Sequence, residues 1–307
     1  MDELFFAFAN SITSLVLCMA VGFVCHRKQL LTSVHISGLT DLLIRVAMPA
    51  TIFTALMRPF SRDLLIDSLT ALLIFLFLIP FGGFLGWLLA KLLKASDAER
   101  EAWQFGSSFG NFGFMGIPVV LAVFGIEGLI FVTSAMIATN ILSFTYGVRI
   151  FKNAPRQFKI MEFLARSPAV PAAMLGYVMF LTGLRFPSPI ESSIELLAGI
   201  TAPVSMIVIG AVLAKENLKE AMLDTRLIPH TLLRLAILPI MTYFALSAVF
   251  GSILMVYVLT TLMAMPVGAM TVILAEKYAK NAQLAARFVV VTTLLSAITM
   301  PVLSLMF

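Results

Sequence analysis

The 307 residues are 60% hydrophobic and only 12% charged, with a mean hydropathy of +1.02, which excludes an ordinary soluble globular chain. An integral membrane protein is expected, with the lipid bilayer as its main surroundings. The net charge of +5 sits in the loops, so no nucleic-acid partner is implied.

A spanning helix needs roughly 20 largely apolar residues. Cutting the chain at its charged and Gly/Pro breaks predicts ten spans: 4–25, 36–57, 64–92, 100–124, 128–150, 164–184, 190–214, 228–250, 252–276 and 283–306. That leaves no room for a soluble domain. The first apolar run follows Asp2 and Glu3 and lacks a basic leader, so it reads as a span rather than a cleaved signal. Cys18 and Cys25 lie seven residues apart on it, roughly 10 Å on a helix and too far for a disulfide. His26, His35 and His230 show no ligand spacing with each other or with the cysteines, so no metal and no cofactor is expected.

Span two carries Asp41 four residues before Arg45, in "TDLLIRVAMPATIF". The pair either neutralises itself at helical spacing, or Arg45 faces a cavity and clamps a carboxylate. Span four holds "SSFGNFGFMGIPVV", in which Gly110, Gly113, Gly116 and Pro118 disturb an otherwise apolar helix. In hydrocarbon, unwound backbone is tolerated only inside protein or beside a water-filled cavity. Broken helices meeting near the midplane form the substrate site in inverted-repeat transporters, where the half-helix N-termini suit an anion. Asn111 adds an amide that both donates and accepts, and Pro118 fits the first turn of the second half-helix. The competing explanation is a kink or close packing of small residues. Ser107 and Ser108, just before the break, either bond back to their helix or line the site. Asn140, in mid-span five, either lines the substrate cavity or bonds a neighbouring helix.

The longest loop, "RIFKNAPRQFKIMEFLAR" (149–166), falls at the midpoint of the chain. It predicts a division into residues 1–151, a linker 152–163 and residues 164–307. Testing for a repeat, "LLIRVAMPATIF" (42–53) can be laid on "LLAGITAPVSMI" (196–207), with Pro49 on Pro203. Likewise "GNFGFM" (110–115) can be laid on "MPVGAM" (265–270), with Gly113 on Gly268. Disturbed helices then stand second and fourth in each set of five, and an odd number of spans per repeat inverts the second half. Arg234, near the inner end of span eight, is expected to snorkel to the interface; Glu276 and Lys277 are expected at the interface too.

Sixteen of the 21 Lys and Arg residues lie in the odd-numbered loops, and only Arg58, Arg62 and Arg185 in the even ones. This places the odd loops in the cytoplasm and both termini outside. No zinc-protease, nucleophile-elbow or Walker motif is present in the sequence, so no enzyme and no ATP-driven pump is expected.

"NFGFMGIPVVLAVFG" (111–125), "MPVGAMTVILAEKYAKNAQLAARFVVVTTLLSAITMPVL" (265–303) and the span-two proline resemble the auxin efflux carrier family. That family includes plant auxin exporters and bacterial carriers assigned to malonate or malate. The resemblance implies an all-α membrane fold of ten transmembrane helices in two inverted five-helix repeats. Spans one, two, six and seven would form a scaffold, and the others a transport domain with crossing broken helices 4 and 9. It further implies a homodimer in the cell membrane, and substrate contact at Asn111 with Pro266 at the ninth-helix break. The second asparagine of plant members has no counterpart in "VVLAVF" (119–124). The function expected is a secondary carrier of small organic anions. Proton coupling, sodium coupling and drive by the membrane potential alone all stay open, as do a sodium/proton antiporter and a non-transporting anion receptor.

Overall fold

A computed structural model describes residues 2–151, 168–278 and 281–307. The predicted linker 152–163, the start of span six at 164, and Lys152, Arg156, Lys159, Arg166 and Lys280 lie outside the described residues. Within them the chain is helical throughout, with a single isolated β-bridge. The helices are α1 Asp2–Arg27, α2 Ser33–Leu56, α3 Arg62–Leu92, α4 Asp97–Ser108 and α5 Ile117–Leu142. They continue with α6 Ala169–Thr182, α7 Ser188–Leu213, α8 Thr225–Ser247, α9 Ile253–Met263, α10 Met270–Tyr278 and α11 Ala282–Met306. Among the described residues seven helices are long and apolar enough to cross a bilayer. Large apolar side chains such as Ile66, Leu69, Leu73, Phe77 and Phe84 form an exposed stripe along α3, a surface suited to lipid rather than water. The protein is therefore a multi-pass membrane protein.

The helix bounds follow local chemistry. Ser61 caps α3 by accepting from the Leu64 amide. Ser96 and Glu99 form a reciprocal capping box at the start of α4, and Asn281 caps α11. α5 is interrupted at Gly125, where φ is +67° and ψ −166°. That region is open essentially to glycine alone, and it divides the apolar stretch where the sequence predicts the gap between spans four and five. α7 is divided between Gly199 and Thr201, two residues before Pro203.

Among the described residues four π-helical turns occur, Leu43–Ala47 in α2, Phe112–Gly116 and Ser143–Gly147 at the two ends of α5, and Leu233–Ile237 in α8. Three of them lead into a proline, namely Pro49, Pro118 and Pro239. A proline in a helix has no N–H to donate, and its ring crowds the carbonyl four residues back. Widening the preceding turn relieves the crowding: the amides of Met48, Gly116 and Leu238 donate five residues back, to Leu43, Asn111 and Leu233.

Packing is densest within two groups of helices, which also touch each other where α1, α2 and α7 meet α5 and α1 meets α11. α1 packs on the second half of α7, and α2 packs on α6 and α7. The other group is held by α3 on α4 and α5, α5 on α9, and α11 on α4, α8 and α10. Small residues set the close approaches. On α3, Gly82 and Gly86 face the backbone carbonyls of Ser107 and Trp103, and Gly83 faces the hydroxyls of Ser108 and Tyr146. Between α2 and α7, the Thr51 and Thr201 hydroxyls lie 2.7 Å apart.

At one end of α8 a charge cluster ties it to α11. Asp224 accepts from Arg226 at 2.8 Å and from Arg287 at 2.9 Å, and Arg287 also meets Glu220 at 3.4 Å. The hydrogen bond from Arg226 leads the causes that hold the Asp224 carboxyl down at about 2. A carboxyl lowered on folding stabilises the native state above its unfolded value and loses that contribution as pH falls through its native one. Asp224→Asn is expected to lower stability by about 1.5–3 kcal/mol at neutral pH, the range for hydrogen bonds to charged groups. In thermal unfolding of the detergent-solubilised protein, this deficit should persist to roughly pH 4 and shrink only as pH approaches 2.

Candidate functional site at the paired helix breaks

The two disturbed stretches singled out in the sequence come together. α4 ends at Ser108 and α9 at Met263, and the chain after each runs extended before the next helix begins. Gly110 and Val267 form the antiparallel bridge. The Asn111 amide donates to the Pro266 carbonyl at 2.8 Å, and the Gly268 amide to the Phe109 carbonyl at 3.0 Å. Backbone groups freed by one break are thus satisfied by the other, as a buried segment requires. The Val267 amide is taken up by the Thr292 hydroxyl of α11 at 3.0 Å. In the repeat alignment Asn111 falls on Pro266, so the ladder pairs each break with its own counterpart.

Glycines allow the close approaches around the crossing. A Cβ on Gly268 would stand 3.1 Å from the Gly110 carbonyl oxygen. On Gly113 it would meet the Met48 methyl at 2.7 Å, and on Gly116 a Leu262 methyl at 2.9 Å. Pro118 is buried in the first turn of α5. Asn111 itself is half-buried. Its backbone oxygen accepts from the Met115 and Gly116 amides, at 3.3 and 2.9 Å, while its side chain caps nothing. The N-termini of α10 and of the turn leading into α5 both start at this crossing, so partial positive charge collects there.

The other residues weighed in the sequence lie as follows. Ser108 is buried and bonds back to the Gln104 carbonyl at 2.9 Å. Ser107 is also buried, and its hydroxyl has no partner. Asn140 donates to the Met136 carbonyl of its own helix at 2.8 Å, beside a small gap lined by Ile52, Thr133 and Val170. Arg45 is exposed, paired with Asp41 at 3.4 Å, and the structure does not bring it to the crossing. Glu276 and Lys277 are exposed at the end of α10.

Arg234 departs from the sequence expectation. Rather than snorkelling to an interface, its side chain is fully buried, with 0% exposure, at the crossing. Its Nε donates to the Met265 carbonyl at 2.9 Å and its Nη1 to the Ser107 carbonyl at 2.9 Å. It thereby satisfies carbonyls just beyond α9 and at the end of α4, where the helix dipoles are negative. The π-turn Leu233–Ile237 that precedes Pro239 carries this residue. Its Nη2 has no partner, and its guanidinium lies 5.8 Å from the Phe112 ring centre. One turn earlier His230 is likewise buried, stacked on Phe288 at 3.9 Å between ring centres. No Asp or Glu is buried among the described residues, so the crossing holds a full positive charge without a carboxylate partner. No group of three or more His, Cys, Asp or Glu that could hold a metal ion is present among the described residues.

A family model described as a membrane transport protein matches residues 7–167 and 157–304. An uncharacterized transporter of Methanocaldococcus jannaschii is 29% identical over 92% of this chain and 92% of its own. One from Methanothermobacter thermautotrophicus is 26% identical over 98% and 99% of the two chains. A Rhizobium meliloti protein that bears the provisional name malonate transporter is 24% identical over 85% and 83%.

Proposed function

The chain belongs to this membrane transport protein family, that of the auxin efflux carriers, and from that premise we propose that it is a secondary carrier of small organic anions. The anion binds at the crossing of the two helix breaks. The observation that carries this reading is the charge balance there: two helix N-termini and the buried Arg234 meet, with no buried carboxylate among the described residues. Such a site attracts negative charge and repels a bare cation. A sodium/proton antiporter on a related fold is disfavoured by the same balance, since such proteins rely on carboxylates within the membrane. The provisional name of the Rhizobium relative makes malonate the first compound to test.

The architecture proposed with it is ten spans in two inverted repeats. Dividing α5 at Gly125, and counting α4 with the turn into α5 and α9 with α10 as broken spans, supports that number. The pairing of Asn111 with Pro266 supports the inversion, because an antiparallel ladder between equivalent segments is what a twofold relation produces. The group α1, α2, α6 and α7 would serve as scaffold, and the remainder would move against it in alternating access. A homodimer through the scaffold, a cell-membrane location and both termini outside belong to the same proposal.

Purified protein in liposomes should accumulate radiolabelled malonate or malate, with no sodium or proton flux in the absence of an anion. Imposed proton, sodium and potential gradients then identify the driving force. Cation exchange without anion movement would overturn the reading in favour of an antiporter. Binding without flux would make the protein a receptor.

A further inference from the structure

We propose that Arg234 is the residue that takes the substrate's carboxylate, through Nη2. This rests on the crossing being the binding site. A guanidinium presents five N–H donors in a rigid planar fork. Here Nε and Nη1 are fixed by the Met265 and Ser107 carbonyls, which leaves Nη2 oriented and unused. Burying a cation without a counter-ion is strongly unfavourable, and the described residues provide none at this place. An incoming carboxylate supplies both the missing charge and the missing acceptor, and charge-assisted pairs of this kind are the strong ones.

A Cβ built on Gly110 would collide with Nη2 itself and stand 2.7 Å from Phe112 Cε1, so only a glycine lets the break pack this closely on the guanidinium. Asn111, the next residue, is half-buried with its side-chain carboxamide uncommitted. A carboxylate entering the crossing is then shared between the guanidinium and the carboxamide. Arg234 already joins α8 to the crossing through Met265 and Ser107, and the anion adds a further tie to Asn111.

The test uses full-length protein in detergent and in liposomes, as wild type, Asn111→Ala, Arg234→Gln and Arg234→Lys. Each is titrated with malonate, malate, succinate and indole-3-acetate, and with malonamide, the neutral isostere of malonate, with thermal stabilisation as the readout. The expected result is that Arg234→Gln and Arg234→Lys each lose at least tenfold in affinity for the stabilising carboxylate. Arg234→Gln should also lose the preference for malonate over malonamide. A purely structural role for Arg234 would weaken both ligands together and leave that preference intact, which would overturn the assignment. If Arg234→Gln does not fold, Arg234→Lys decides, because it keeps the charge and loses the planar fork: affinity should fall while malonate stays preferred over malonamide, and unchanged affinity would overturn the assignment. Loss of binding in Asn111→Ala with wild-type affinity in the other two would overturn the role of Arg234 and leave the crossing as the site. Failure of every carboxylate to stabilise the wild type would overturn both.

Discussion

Asn111→Ala is expected to lower carboxylate affinity and transport by ten- to a hundredfold while the protein folds and inserts normally. The separation follows from how this residue is used. Its structural work is done by the backbone: the amide donates to Pro266, and the carbonyl accepts from Met115 and Gly116. Alanine keeps all three bonds. The carboxamide caps nothing and stands half-exposed at the crossing, so its removal subtracts ligand contacts alone. Losing one hydrogen bond to a charged ligand is worth about 1.5–3 kcal/mol, which converts to the stated range at about 1.4 kcal/mol per tenfold. Unfolding temperature without ligand, and its rise with malonate, measure the two effects separately. A variant that matches wild type in both would remove Asn111 from the site.

Gly210→Ala is expected to be the most damaging single-methyl change in the molecule, lowering stability by about 3 kcal/mol or more. Gly210 on α7 faces the Met19 carbonyl of α1, and a Cβ there would collide with that oxygen and stand 3.0 Å from the Phe23 nitrogen. Gly22 on α1 returns the contact, against the Ile207 carbonyl. Both obstacles are backbone, so no side chain can swing aside, and the two helices must separate along their whole contact. Once one methyl has pushed them apart, the second meets less resistance. Gly22→Ala with Gly210→Ala should therefore cost clearly less than the sum of the single changes. Neither residue touches the crossing, so any protein that remains folded should bind malonate as wild type does. Strict additivity would show that the helices do not approach as closely as drawn.

What the sequence reveals here depends on whether the cause is local. The ends of α3 and α11 are signalled by cap residues and hydrophobic runs, and the gap at Gly125 by a small residue between two apolar stretches. The break after α4 is legible because glycine and proline act on their own backbone. The pairing of 109–111 with 266–268 is not local: it needs a ladder across more than 150 residues, and only the weak repeat between "GNFGFM" and "MPVGAM" hints at it. Arg45 and Arg234 show the same limit. Both lie in spans, outside the loops that hold the other Lys and Arg residues. Arg45 has Asp41 at helical spacing, whereas His230, Thr231, Ile237 and Leu238 surround Arg234 at that spacing without one acid. That missing partner is the available signal for a buried cation. Snorkelling is the ordinary fate of an arginine near a helix end, and tertiary packing against Ser107 and Met265 overrides it.

The wide turns ahead of Pro49, Pro118 and Pro239 make these helices behave as screws with one extra thread. Each surplus residue advances the helix beyond it by about 100° of rotation. Removing one residue from Leu43–Ala47 would therefore leave the length of α2 almost unchanged and turn its far half, taking Thr51 away from Thr201 and Leu56 away from Gly176. For this protein an insertion or deletion in a span is a change of angle before it is a change of reach. Relatives that differ by one residue at these turns would present different faces to the same neighbours.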